Sequence, residues 1–288
     1  MKCYLQRENI NTNCSDLHSW SYPTNIDIPL LIKGCIALII INAALSISVI
    51  CSNAAVIFTI LRTPSLKKPS NYLILVLALA DLGVGALVAP CFCVTIACTL
   101  ARNYQCLISS KDVYTITGSI FITASIWTLA ALTADRLIAI TLHLRYREIV
   151  TVVRTGVICT IIWIFAILSS LSWLSSIIPF LISTNLTGLI ILITILFMAK
   201  IELVIRRHSR QIRLKESIVL CYFPFFVFYW LLQSSISPPI ILFKIFETLM
   251  FANSLLNPII YFWRINELRI AGRQLMRRFF QLVAEAPH

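Results

Sequence analysis

Between Thr155 and Ala199 the chain carries no charged residue over 45 positions. Such a run is too long for one apolar helix of a water-soluble core, and it is long enough for two membrane spans of about 20 residues each with a short connection. It therefore predicts spans near 155–178 and 186–205, with the turn near Pro179–Asn185. Further apolar segments of spanning length lie near 34–61, 71–97, 113–134, 217–234 and 240–263. With 59% hydrophobic and only 12% charged residues, the chain has the composition of a polytopic membrane protein rather than a soluble one. The expected fold is an all-α membrane protein, a seven-helix bundle over 30–263 that follows an extracellular segment 1–29 and precedes a cytoplasmic segment 264–288. No basic-then-apolar leader opens the chain, so the first span is expected to direct insertion itself.

Positive charge sets the orientation, because Lys and Arg concentrate in cytoplasmic loops. With the N-terminus outside, the four inner segments hold 18 of the 24 basic residues, including Lys67, Lys68, Arg136, Arg154, Arg206, Arg213, Arg264 and Arg278. The same orientation puts the glycosylation sequon at Asn13 on the outer side. The net charge of +12 is then a topology signal and an attraction to anionic inner-leaflet lipid, and nucleic acid is not an expected partner.

Polar residues at membrane depth are costly and so are functional candidates. Asp81 lies 11 residues after Ser70, Ser125 lies 11 before Arg136, and Asn253 lies 11 before Arg264. At about 1.5 Å per residue each sits about 16 Å from the inner face, so three spans present oxygen ligands at one level. Ser254 and Asn257 extend the set. One carboxylate with hydroxyl and amide oxygens suits a hard cation, or a proton on Asp81. A polar knot that only ties helices together is the competing reading. Pro258 removes a backbone donor at this level and is expected to disturb the helix, freeing carbonyls that Asn257 or water can satisfy.

These residues carry a resemblance over nearly the whole chain to rhodopsin-like, class A G-protein-coupled receptors. "SNAAV" resembles the family's span-one asparagine motif at Asn53, and "LALAD" its span-two aspartate at Asp81. "ADRL" resembles its acid-arginine motif at Asp135 and Arg136, Trp163 its span-four tryptophan, "CYFPFF" its span-six proline motif at Pro224, and "NPIIY" its span-seven motif ending at Tyr261. The resemblance implies that Asp81, Ser125, Asn253, Ser254 and Asn257 hold sodium as an allosteric ligand, with no other cofactor. It also implies that Asn257, Pro258 and Tyr261 form a joint which rearranges on activation, together with Asp135, Arg136 and Pro224. "RINELRIAGRQLMRRFF" is then the interfacial amphipathic helix, in agreement with its arginines alternating with apolar residues. Implied partners are a heterotrimeric G protein and an unknown extracellular ligand at the plasma membrane. Within the family, "LRYREIVTVVR" and the short loop before span five look most like the melanocortin, adenosine, cannabinoid and lysophospholipid group, and melanocortin receptors above all.

Several departures narrow the ligand. The position where amine receptors keep an aspartate is Gly118, and the position of the opsin lysine is Phe251. Of the melanocortin acidic cluster only Asp112 and Glu247 remain, and Tyr222 replaces the usual span-six tryptophan. Thr115, Tyr222, Tyr229, Glu247 and Phe251 are the expected pocket lining, with Lys244, three residues before Glu247, as the alternative partner of that carboxylate. Cys3, Cys14, Cys98 and Cys106 face the oxidising side and allow three full pairings, while Cys35, Cys51, Cys91, Cys93, Cys159 and Cys221 are expected to be small buried apolar residues. The apolar run of span six, Ile218 to Leu232, is only 15 residues, about 22 Å against about 30 Å of hydrocarbon, so an impaired or decoy receptor is a second expectation. A small ion- or proton-coupled transporter is a third. No nucleophile–base pair, phosphate loop or metal-spaced His/Cys cluster occurs in the sequence, so an enzyme is not expected.

Overall fold

A computed structural model describes residues 28–142, 145–175, 177–206 and 240–284. Span one is α1 (Ile28–Arg62), followed by a short 3-10 turn at Pro64–Leu66. Span two is α2 (Pro69–Gly83), which runs through a widened π turn at Val84–Val88 into α3 (Ala89–Leu100). Span three is α4 (Tyr104–Thr141), and α5 (Tyr146–Ile149) lies in the loop that follows. Spans four and five are α6 (Val152–Ser175) and α7 (Ile177–Arg206); span seven is α8 (Ile240–Arg264), with α9 (Asn266–Ala284) immediately after it. Among the described residues, five helical stretches, Ile32–Arg62, Pro69–Leu100, Tyr104–Thr141, Val152–Ser172 and Lys244–Arg264, are long and apolar enough to cross a membrane, and Asn185–Ile201 is a shorter apolar one. The sixth expected span, with Tyr222, Pro224, Tyr229 and Cys221, lies outside the described residues, as does Asn13.

Helix α4 runs through the middle of the bundle against α2, α3, α6 and α7, and α1 packs on α2, α3 and α8. An inner core gathers Val56, Leu66, Leu77, Leu129, Tyr261 and Leu268, and an outer one gathers Leu38, Val88, Phe92 and Phe251. Large apolar side chains such as Ile40, Ile161, Leu168 and Leu196 face outward, the reverse of a soluble protein and the pattern expected where lipid tails cover the surface. Cys51 is among the outward residues, contrary to the expectation that it is buried, whereas Cys159 is buried and Cys35, Cys91 and Cys93 are partly so.

Three local features correct the sequence reading. The uncharged run divides between Ser175 and Ile177, not at Pro179–Asn185. Pro179 falls in the first turn of α7, where the missing N–H is one the helix does not use, so this proline starts a helix and does not interrupt one. The π turn of span two was not foreseen. Pro90 cannot donate to the carbonyl four residues back, and the wider turn just before it accommodates that defect. Gly85 within the turn lends its carbonyl to Ser46 Oγ at 2.7 Å, tying span one to the bulge.

At the outer end, Cys98 and Cys106 form a disulfide, which selects one pairing from the alternatives left by the sequence. Only Ala101, Arg102 and Asn103 connect α3 to α4; Arg102 takes a left-handed φ of 54°, and the Asn103 side chain caps α4 by accepting from Cys106 N at 3.1 Å. At the inner end, Asn71 Nδ2 donates to Leu66 O at 2.8 Å, and Lys68 Nζ pairs with Glu267 at 2.7 Å, linking the first inner turn to α9.

Candidate functional site: a buried carboxylate shared by three spans

Asp81 is fully buried on α2, and its two carboxylate oxygens receive hydrogen bonds from other helices. Ser125 Oγ of α4 and Ser254 Oγ of α8 each donate to Oδ1 at 2.9 Å, and Asn257 Nδ2 of α8 donates to Oδ2 at 2.7 Å. Four of the five residues singled out by their common depth thus meet in one cluster. Asn253 is buried on α8 at the same level. A carboxylate buried without partners is very costly, and three donors satisfy this one while joining spans two, three and seven.

Span one enters through Asn53. Helix α8 runs through Pro258, whose missing N–H leaves the carbonyl of Ser254, four residues earlier, without its helical donor. Asn53 Nδ2 donates to that carbonyl at 3.0 Å, and to Val49 O at 2.9 Å. The released carbonyl is therefore met by span one, while the Asn257 amide, one of the expected donors, goes to Asp81 instead. Asn53 Oδ1 stays buried without a partner among the described residues. The Asp81 carboxylate, the Ser125 and Ser254 hydroxyls and the Asn257 carboxamide form an oxygen set of the kind a small hard cation takes, and the two hydroxyls keep lone pairs for it.

At the inner face, Asp135 is buried and Arg136 is exposed. The Asp135 carboxylate accepts from Ser70 Oγ at 2.9 Å and from the Tyr146 hydroxyl at 2.8 Å, and those two oxygens lie 2.7 Å apart. Burial pushes the Tyr146 phenol above its ordinary range; the Ser70 hydrogen bond lowers it, and the Asp135 carboxylate raises it further. Neither Ser70 nor Tyr146 was singled out from sequence. The available signal was Pro69-Ser70 at a helix start and an aromatic ten residues beyond Arg136.

At the outer face, Glu247 is buried, and it is Lys244 that pairs with it, at 2.7 Å from Oε2. Tyr114, absent from the expected lining, donates its hydroxyl to Glu247 Oε1 at 2.7 Å. Phe251 is almost fully buried and meets Phe92 edge to face with centroids 5.3 Å apart. Thr115, next to Tyr114 on α4, is half-buried. Asn42 of α1 donates to Thr248 Oγ1 at 2.9 Å, so span one also reaches this outer cluster.

A bundle of long apolar helices with one buried carboxylate at its centre and polar clusters at both ends has the architecture of a multi-pass membrane protein. Residues 52–177, 126 of the chain's 288, match the family model described as 7 transmembrane receptor (rhodopsin family). The chain is 28% identical over 286 residues to melanocortin receptor 4 of Danio rerio, an alignment covering 84% of this chain and 86% of the relative. It is 33% identical over 132 residues to human adenosine receptor A2b, covering 46% and 37% of the two chains. Against 5-hydroxytryptamine receptor 1B of Spalax ehrenbergi it is 36% identical over 168 residues, covering 57% and 40%. The chain thus spans most of the first relative and well under half of the other two. It is a multi-pass plasma-membrane protein, and its relatives are receptors rather than enzymes.

Proposed function

We propose that this chain, with its N-terminus outside, carries an extracellular ligand signal to a heterotrimeric G protein. It does so by shifting an equilibrium between two helix arrangements. The observation that carries this reading is Asp81, whose carboxylate is shared with Ser125, Ser254 and Asn257 on two other spans, so that a change in its ligation moves three helices together. Sodium, held by Asp81, Ser125, Asn253, Ser254 and Asn257, supplies positive charge to this centre and favours the resting arrangement. One carboxylate with neutral oxygens corresponds to weak, millimolar-scale binding. At the inner face Asp135, held by Ser70 and Tyr146, leaves Arg136 open toward the cytoplasm, and α9 rests on anionic lipid. Expression of the full chain at the cell surface and measurement of guanine-nucleotide exchange during a ligand screen tests the proposal. Ligand-dependent exchange supports it; a chain that reaches the surface and never promotes exchange rejects it. The 15-residue apolar run of span six favours a second reading, a receptor that binds ligand and couples weakly.

A further inference from the structure

The outer cluster on α3, α4 and α8 contains a buried ion pair that the sodium centre does not use. Glu247 has both carboxylate oxygens engaged, one by Tyr114 and one by Lys244, and its side chain is 5% exposed. Lys244 is 22% exposed, and its ammonium lies 4.9 Å from the Phe92 ring centroid and 5.6 Å from that of Tyr114. A ligand entering from outside therefore meets the lysine before the carboxylate. The other charged residues described at the outer ends are Lys33, Arg102, Lys111 and Asp112, so with this pair the basic side chains outnumber the acidic by four to two.

We propose that Lys244 is the ligand anchor of this chain and that it takes a carboxylate or phosphate group attached to an apolar or aromatic body. The inference rests on the receptor reading above and names its ligand class. A cationic ligand aimed at Glu247 would have to displace both Tyr114 and Lys244 and would bring a second positive charge into the same ring-lined slot, where low dielectric makes like charges costly. An anionic group meets the ammonium directly. As Lys244 turns toward it, Glu247 keeps the Tyr114 hydroxyl and is not left bare. The apolar body then lies against Phe92 and Tyr114, whose rings already stand tilted to each other at 5.7 Å. Gly118, one turn further along α4, supplies no carboxylate that would favour an amine.

The test uses two charge-reversed pairs of probes on the purified full chain in nanodiscs, read by thermal unfolding over a concentration series. The pairs are 5-hydroxyindole-3-acetate with 5-hydroxytryptamine, and dodecanoate with dodecylamine; the first represents a soluble ligand and the second a lipid. Expected is stabilisation by the acid of at least one pair, weakened roughly tenfold or more in Lys244→Gln and retained in Lys244→Arg and Glu247→Gln. Subtracting the response of Lys244→Gln removes general detergent-like effects of the dodecyl probes, and the arginine variant covers the case in which the glutamine variant fails to fold. Stabilisation by an amine that Glu247→Gln abolishes overturns the proposal, as does an acid response in neither pair that depends on a charge at position 244. The readout needs no G protein, so acid binding without nucleotide exchange counts against coupling and leaves the anchor standing, whereas exchange without acid binding does the opposite.

Discussion

At the scale of single residues, polar side chains in this bundle act by meeting groups that the apolar interior cannot satisfy. Asn53 does so for the Ser254 carbonyl that Pro258 leaves without a donor. Asn53→Ala leaves that carbonyl buried and unpaired, and a loss of about 1–3 kcal/mol is expected. A lowered unfolding temperature of the purified protein, partly restored in Asn53→Ala/Pro258→Ala where the helical donor returns, checks this. Asp81→Asn is expected to abolish any difference in unfolding temperature between sodium and an impermeant organic cation; a wild-type protein that shows no such difference contradicts the sodium assignment. The members of the Asp81 cluster were legible because depth along a helix follows from counting at fixed rise per residue. Tyr114 and Tyr146 were not, since whether a side chain reaches Glu247 or Asp135 depends on helix rotation and loop path, and neither follows from hydropathy. Lys244 was legible only as one of two options: spacing of three residues brings it beside Glu247, but which of the two a ligand meets depends on burial.

At the scale of elements, close approach of helices depends on positions where no side chain fits. A Cβ at Gly83 would run into the Phe121 ring, which itself stands edge-on to Trp163 with centroids 6.0 Å apart. Gly83→Ala is therefore expected to push α4 from α2 at a cost of about 1–3 kcal/mol, and Gly83→Ala/Phe121→Leu to recover part of it, both read by thermal unfolding. Gly272 similarly lets α9 lie against Phe262, so the interfacial helix is positioned by the bundle as well as by lipid. The exposed Lys68–Glu267 pair adds little to stability, at most about 1 kcal/mol, and its loss is expected to change the unfolding temperature hardly at all. Spans two, four and seven fall within three residues of their expected bounds because long apolar runs have one solution in a bilayer, whereas α4 and α7 each begin nine residues earlier than hydropathy places them. The sequence reading missed the π turn and misplaced the α6–α7 boundary because proline at a helix start and proline inside a helix look alike until the first turn is located.

At the scale of the whole molecule, regulation and coupling are expected at the inner face but not through residues 264–288, which contain no serine, threonine or cysteine. Mass spectrometry of the activated protein is expected to find phosphate only elsewhere, for instance on inner-loop threonines. Inserting two apolar helical turns after Glu216 is expected to raise nucleotide exchange, since span six would then match the hydrocarbon thickness; equal rates with and without the insertion contradict the short-span reading. The overall architecture was legible because a membrane leaves so few ways to satisfy a backbone, whereas the Cys98–Cys106 pairing was not, because four outward cysteines admit several arrangements. That disulfide, with three residues between α3 and α4, makes the outer ends of spans two and three a single rigid body. Under the function proposed above, a ligand seated beside it would meet two helix ends already fixed to each other. Any conformational response to it would then fall to the other spans, moving relative to this fixed pair.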